Sequence, residues 1–217
     1  MSDKTIYICG DSTAARYDPA ITPMVGWGQV LPDLLPGVAV ENHAMAGRST
    51  RTFLAEGRLT RFQDALRPGD LVLIQFAHND EGDKPERHTE PWGDFTDNLN
   101  VFIDTALTRG AQPVLMTPIC IRLYLDGRLQ PTHGEYLKAI HALAARRGVP
   151  LIDLYADSFA IVAALGEEAS RALYMRLEKG EDARYPDGLA DDTHTRLPGA
   201  ERFARAAAAR LRELRLV

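Results

Sequence analysis

Cysteine is scarce in this chain, basic charge is in deficit, and no apolar run is long. Each of these shortages removes a class of function before any motif is read. Only Cys9 and Cys120 are present in 217 residues, each inside an apolar strand-like run, so both read as buried reduced thiols rather than a disulfide or metal site. Lys and Arg number 25 against 30 Asp and Glu, a net charge of −5, which argues against nucleic acid and anionic membrane surfaces as partners. No apolar stretch can span a bilayer and no charged-then-apolar leader opens the chain, so a cytoplasmic protein without a membrane partner is expected. Repeats, low-complexity tracts and linkers are absent too. With 45% apolar and 25% charged residues, the sequence reads as one globular domain over residues 1–217.

What is present alternates. Five short apolar runs, at 5–9, 38–43, 70–76, 112–118 and 150–154, are separated or followed by helical patterns at 26–35, 50–66, 94–108, 134–147 and 158–177. Strand then helix, repeated, predicts an α/β fold: a three-layer α/β/α sandwich around a five-stranded parallel sheet with right-handed crossovers. Polar stretches at 80–93 and 179–195 read as loops, the first as a mobile rim, and Pro198 marks the start of a last helix.

Ligands of open α/β sheets bind beyond the carboxyl ends of the strands. There the first strand delivers Gly10-Asp11-Ser12, the second Ala46-Gly47-Arg48, the third His78-Asn79-Asp80, and the fourth leads to Arg122. A serine hydroxyl is a weak nucleophile until a base takes its proton. His194 is the candidate base, and Asp191, three residues earlier, is placed in a tight turn to reach its Nδ1. Asp192 is a rival orienter, although a residue two before a histidine usually points away in a turn. For the oxyanion of acyl transfer, the candidate donors are the N–H of Ser12 at a helix N-terminus, the N–H of Gly47, and the Asn79 amide. Each residue alone has a plainer meaning: a turn with a cap, a surface histidine, an Asx turn, a glycine in a turn. Their co-location on one sheet edge in complementary roles favours the chemical reading. The segment GDSTAAR lacks both the lysine of a phosphate loop and the glycine spacing of a dinucleotide fingerprint, so no cofactor is expected. His78 and Asp80 flank Asn79 without a third ligand, so no metal is expected either.

These blocks resemble the SGNH, or GDSL-type, hydrolase family, with Ser12, Gly47, Asn79 and His194 on its four signature positions. The resemblance implies a flavodoxin-like sheet of order 2-1-3-4-5, which puts Cys9 and Cys120 on non-neighbouring strands. Within the family, the strings GDSTAA, GWGQ, NHAMAGRSTRTF, PGDLVLIQFAHND and DDTHT are similar to bacterial rhamnogalacturonan acetylesterases. That similarity implies attack of Ser12 on an acetyl ester, His194 as base and then acid, Asp191 as its orienter, and an acetylated oligosaccharide as partner.

Uronate carboxylates of such a saccharide suit arginine, and Arg48, Arg51 and Arg122 lie at or near the active edge, as candidates against a reading as solvated charges. Trp92, in the 80–93 loop, is the candidate to stack on a sugar face, whereas Trp27 reads as packing. Two other functions remain open: a short-chain lipolytic esterase or thioesterase, told apart by acyl-length preference, and a silent carbohydrate-binding module, which should have lost a site residue.

Overall fold

Along the first strand Ile6 and Ile8 turn to one side and Tyr7 and Cys9 to the other, and all four are buried. A strand apolar on both faces belongs in the middle of a sheet covered twice. The computed structural model, which describes residues 4–217, shows this arrangement. Strands β1 (Thr5–Gly10), β2 (Ala39–Asn42), β3 (Leu71–Gln75) and β4 (Gln112–Met116) join β7 (Leu151–Ile152) in a parallel sheet of order β2-β1-β3-β4-β7. Since β5 (Tyr124–Leu125) and β6 (Arg128–Leu129) form a separate hairpin, β7 is the fifth strand of the sheet, and the order is the one expected.

Ile6 and Ile8 pack with Trp27 and Leu31 of α1 (Trp27–Leu34), Val162 of α5 (Leu154–Ser170) and Phe203 of α6 (Leu197–Glu213). Tyr7 and Cys9 pack with Phe53 of α2 (Thr50–Ala55), Phe102 of α3 (Asp94–Thr108) and Ile140 of α4 (Gly134–Arg147). Both cysteines are free and buried, and burial raises the pKa of each thiol. Among the described residues no helix is long and apolar enough to cross a membrane.

Two expected helices are shorter than their patterns. The 50–66 pattern is α-helical only to Ala55, because Gly57 turns the chain at φ 63° and its N–H closes onto Leu54 O, and a single 3-10 turn follows at Gln63–Ala65. Phe62 and Leu66 still reach the core, through turns. The 158–177 pattern begins earlier, breaks at Gly166 (φ 74°), and ends in strand β8 (Tyr174–Leu177). That strand pairs antiparallel with β9 (Leu189–Thr195), inside the stretch expected to be loop.

Gly26 enters α1 against the backbone of the turn after β1. A Cβ there would lie 2.3 Å from the Ala15 carbonyl oxygen, a contact that no side-chain rotation relieves. Gly26→Ala should therefore cost about 1–3 kcal/mol and lower the melting temperature by roughly 3–10 °C, as read by calorimetry. An unchanged melting temperature would show that the turn yields freely.

Candidate active site

The site forms where β1 and β3 stop and β9 passes them. Beyond Gly10 the chain turns, with Ala14 N–H on Asp11 O at 3.3 Å, and Ser12 sits in that turn. This corrects one expectation: Ser12 is not at a helix N-terminus, since α1 does not begin until Trp27. A buried polar network holds the turn instead. Asp11 Oδ1 accepts from the Thr13 N–H (2.9 Å) and hydroxyl (2.8 Å), and its Oδ2 accepts from the Gln75 amide (3.2 Å). Gln75 Oε1 in turn accepts from the Trp27 indole at 2.9 Å, so Trp27 has the packing role its position suggested. Tyr17 adds a hydroxyl bond to Ser12 O at 2.8 Å. Burial raises the Asp11 pKa against the Thr13 bonds and the nearby His194 and His133.

His194 arrives from a bulge. Tyr174 is paired with Thr195 and Arg176 with Ala190, so residues 191–194 swell out of the β8–β9 ladder opposite Met175. Inside the bulge, Asp191 Oδ1 accepts from the backbone N–H of Thr193 (2.8 Å) and of His194 (2.9 Å), a closed Asx turn. Its other oxygen meets His194 Nδ1 at 2.7 Å, and His194 Nε2 lies 2.8 Å from Ser12 Oγ. A carboxylate only accepts, so Nδ1 carries the proton and Nε2 accepts from the serine hydroxyl. Asp192 points the other way, onto Arg122 and Arg176.

Burial pulls the His194 pKa down, but the Asp191 hydrogen bond and charge, with the charge of Asp11 behind them, outweigh it and hold the group above its ordinary value. Asp191, penalised by burial, is held below the usual carboxylate range by its bonds to His194 and Thr193. For a base that works neutral, the sign is clear: kcat/KM should rise with pH through one ionisation centred above about 6.5. A midpoint at or below that value in a p-nitrophenyl acetate profile would exclude His194 as the titrating base.

The loop after β2 docks beside this pair through Met45 N–H on Gly10 O at 3.0 Å. Residues 45–48 make a turn, closed by Arg48 N–H on Met45 O (3.3 Å), whose third residue is Gly47 at φ 77°. A side chain there would be strained, as in the third position of a type II turn. Asn79 reaches the same loop, its amide nitrogen donating to Arg48 O at 3.1 Å. Two residues before it Ala77 is held at φ 141°, a conformation unusual for any residue but glycine. Among the described residues the N–H groups of Ser12 and Gly47 donate to no acceptor.

The 80–93 loop is pinned at its base. Buried Asp80 accepts from Thr50 N–H (3.0 Å) and Thr89 Oγ1 (3.0 Å), and Thr89 N–H donates to Asp80 O (3.1 Å). Burial pushes the Asp80 carboxyl up to about 7 in spite of those bonds. His78 and His133 meet edge to face at 4.5 Å, and the described residues include no group of three or more His, Cys, Asp or Glu able to hold a metal.

The substrate candidates fare differently. Arg122, expected at the sugar, is 4% exposed, and its three guanidinium nitrogens bond Ser170, Asp192 and Glu167 O, so it fastens α5 to β9 and does not reach the cleft. Arg48 forks onto Glu56 at 3.1 Å to both oxygens, and Arg51 is paired with Asp94. Trp92 is 54% exposed with its indole N–H on Glu135 at 2.8 Å. Sequence reasoning missed Arg87, whose Nη1 donates to Asn79 Oδ1 at 3.3 Å. Nothing near it in the chain signals that position. Gln75 left a fainter trace, a polar residue closing the apolar run LVLIQ.

A hydroxyl, an imidazole and a carboxylate in line at the carboxyl edge of a parallel sheet is the arrangement of serine hydrolases. The chain belongs to the GDSL-like lipase/acylhydrolase family, whose pattern matches residues 8–202, and it is a serine esterase. It is 42% identical over 213 residues, 97% of its length and 90% of the relative's, to the rhamnogalacturonan acetylesterase RhgT of Bacillus subtilis strain 168. A second protein of that organism, YesY, named "probable rhamnogalacturonan acetylesterase", is 37% identical over 97% of this chain and 94% of its own. The solved structure of Bacillus subtilis YxiM superposes with a TM-score of 0.82 at 28% identity, covering 98% of this chain and 57% of that one.

Proposed function

We propose that this acetylesterase removes acetyl groups from pectin-derived rhamnogalacturonan saccharides through an acyl-enzyme formed on Ser12. The observation that carries the mechanism is the unbroken line from Ser12 Oγ through His194 (2.8 Å) to Asp191 (2.7 Å). His194 Nε2 takes the serine proton as Oγ attacks the acetyl carbon, and the carbonyl oxygen gathers negative charge between the N–H groups of Ser12 and Gly47 and the Asn79 amide. Collapse expels the sugar hydroxyl, which takes its proton from Nε2. Water then attacks the acetyl-serine, gives a proton to Nε2, and acetic acid leaves as that proton returns to Oγ, ionising to acetate in solution. No cofactor enters these steps.

Short acyl groups are favoured by the walls of the cleft beside Asn79. They are His78, Gly82, Asp83, Lys84 and Arg87, polar or small. The polymer is supported by the names of the two Bacillus subtilis relatives, which match nearly all of this chain. Trp92 offers the exposed aromatic face on which a pyranose would rest. The test is acetate release from acetylated rhamnogalacturonan oligosaccharides and from acetylated xylan, beside p-nitrophenyl esters from acetate to octanoate. The expected result is a steep fall beyond acetate and faster release from the pectic substrate. Preference for octanoate would move the function to a lipolytic esterase, and equal release from xylan would remove the pectic assignment.

A further inference from the structure

The cation over the oxyanion donors has no carboxylate of its own. Arg87 is half-buried, its Nη1 donates to Asn79 Oδ1 at 3.3 Å, and its Nη2 would be 3.3 Å from a Cβ on Gly47. The guanidinium therefore lies flush against two of the three proposed oxyanion donors, on the wall of the cleft. Arginines nearby are neutralised: Arg48 by Glu56 and Arg51 by Asp94. Arg87 forms no ion pair among the described residues, Asp83 of the same cleft included. One of its five N–H groups serves Asn79, and the rest find no acceptor among the described residues.

From this we infer that Arg87 binds the carboxylate of a uronic acid unit carrying or adjoining the acetyl ester. The inference rests on the saccharide reading above and names the group recognised. With the acetyl carbonyl between Ser12, Gly47 and Asn79, the sugar ring stands at the mouth of the oxyanion site, where a carboxylate on that ring or the next lies within reach of a guanidinium against Gly47. A planar fork with two free edges suits a carboxylate, and pairing would compensate a charge already partly desolvated in the free protein. The bond to Asn79 holds the fork in place before substrate arrives.

The probe is inhibition of p-nitrophenyl acetate hydrolysis by methyl galacturonoside (free acid), against methyl galactoside, which differs in lacking the carboxylate. The galacturonoside should inhibit competitively, and more tightly than the galactoside by roughly 10- to 100-fold, the range of one charge-assisted hydrogen-bonded pair. Arg87→Gln should erase that difference and Arg87→Lys should restore part of it. On acetylated oligogalacturonides, the Arg87→Gln loss should fall mainly in KM and exceed the loss on p-nitrophenyl acetate. Equal inhibition by the two glycosides, no inhibition by either, or equal losses in kcat on both substrates would overturn the inference, the last leaving Arg87 as a residue that positions Asn79. The outcomes separate from those of the polymer assay: an enzyme inactive on rhamnogalacturonan yet inhibited by galacturonoside through Arg87 would retain the subsite and lose the substrate.

Discussion

Ser12→Ala should lower ester hydrolysis by on the order of ten-thousand- to a million-fold, the scale on which serine hydrolases lose activity when the nucleophile is deleted. The residual rate would come from the proposed oxyanion donors, which the substitution leaves in place. Stability should hardly change. The hydroxyl's partner is His194 Nε2, and the Ser12 turn is fastened by other groups: Tyr17 on its carbonyl, Asp11 and Thr13 beneath. A shift in melting temperature within about 2 °C is expected. Initial rates on p-nitrophenyl acetate, with a thermal melt of the same sample, check both halves. Wild-type turnover by the alanine variant would remove Ser12 from the chemistry and with it the proposed mechanism.

Asp191→Asn should be nearly as damaging, with kcat reduced roughly ten-thousand-fold. An amide can offer its N–H to Nδ1 and so favours the tautomer whose Nε2 carries a proton and cannot accept from serine. The His194 pKa should also fall, since burial lowers it and the opposing carboxylate bond and charge would be gone. NMR titration of the ring reports this independently of rate. Asp192→Asn is the contrast. That carboxylate holds Arg122 and Arg176, not His194, so its loss should appear as lower stability of the β8–β9 hairpin and leave the histidine titration nearly in place. If Asp192→Asn moved the titration and Asp191→Asn did not, the orienting roles would be reversed.

The parallel sheet was legible because its signal is local. Residues 5–9 and 112–118 are continuous apolar runs, and the strands found, Thr5–Gly10 and Gln112–Met116, match them closely. The segment 50–66 shows where periodicity misleads: Phe53, Leu59, Phe62 and Leu66 are all buried, yet the α-helix covers only the first turn and a half. An apolar period reports which residues face inward, and turns can satisfy it when a glycine reverses the chain. Tyr174–Leu177 reads as helix in isolation and becomes strand because Leu189–Thr195 lies alongside. The Asp191–His194 spacing was readable since the Asx turn that joins them is local. Arg122 was not, because its partners Ser170, Glu167 and Asp192 lie 45 to 70 residues away. Arg87 was missed because the loop between β3 and α3 folds it back over Asn79, eight residues earlier, and against Gly47 of a different loop, a path no local pattern marks.

The hydroxyl and the imidazole lie 182 residues apart in the chain. What joins them in space is a short strap: Val25 exchanges hydrogen bonds with Thr195 (2.9 and 2.6 Å), and Trp27 N–H holds Thr13 O at 3.0 Å. The first and last strands thus meet at the atoms proposed to react, and bringing them together draws on nearly every layer between. Turnover is then a folding sensor built into the molecule. In a refolding experiment ester hydrolysis should be the last signal to return, after helical circular dichroism and tryptophan burial, because a hydrolysed ester certifies that the first strand and the ninth have found each other.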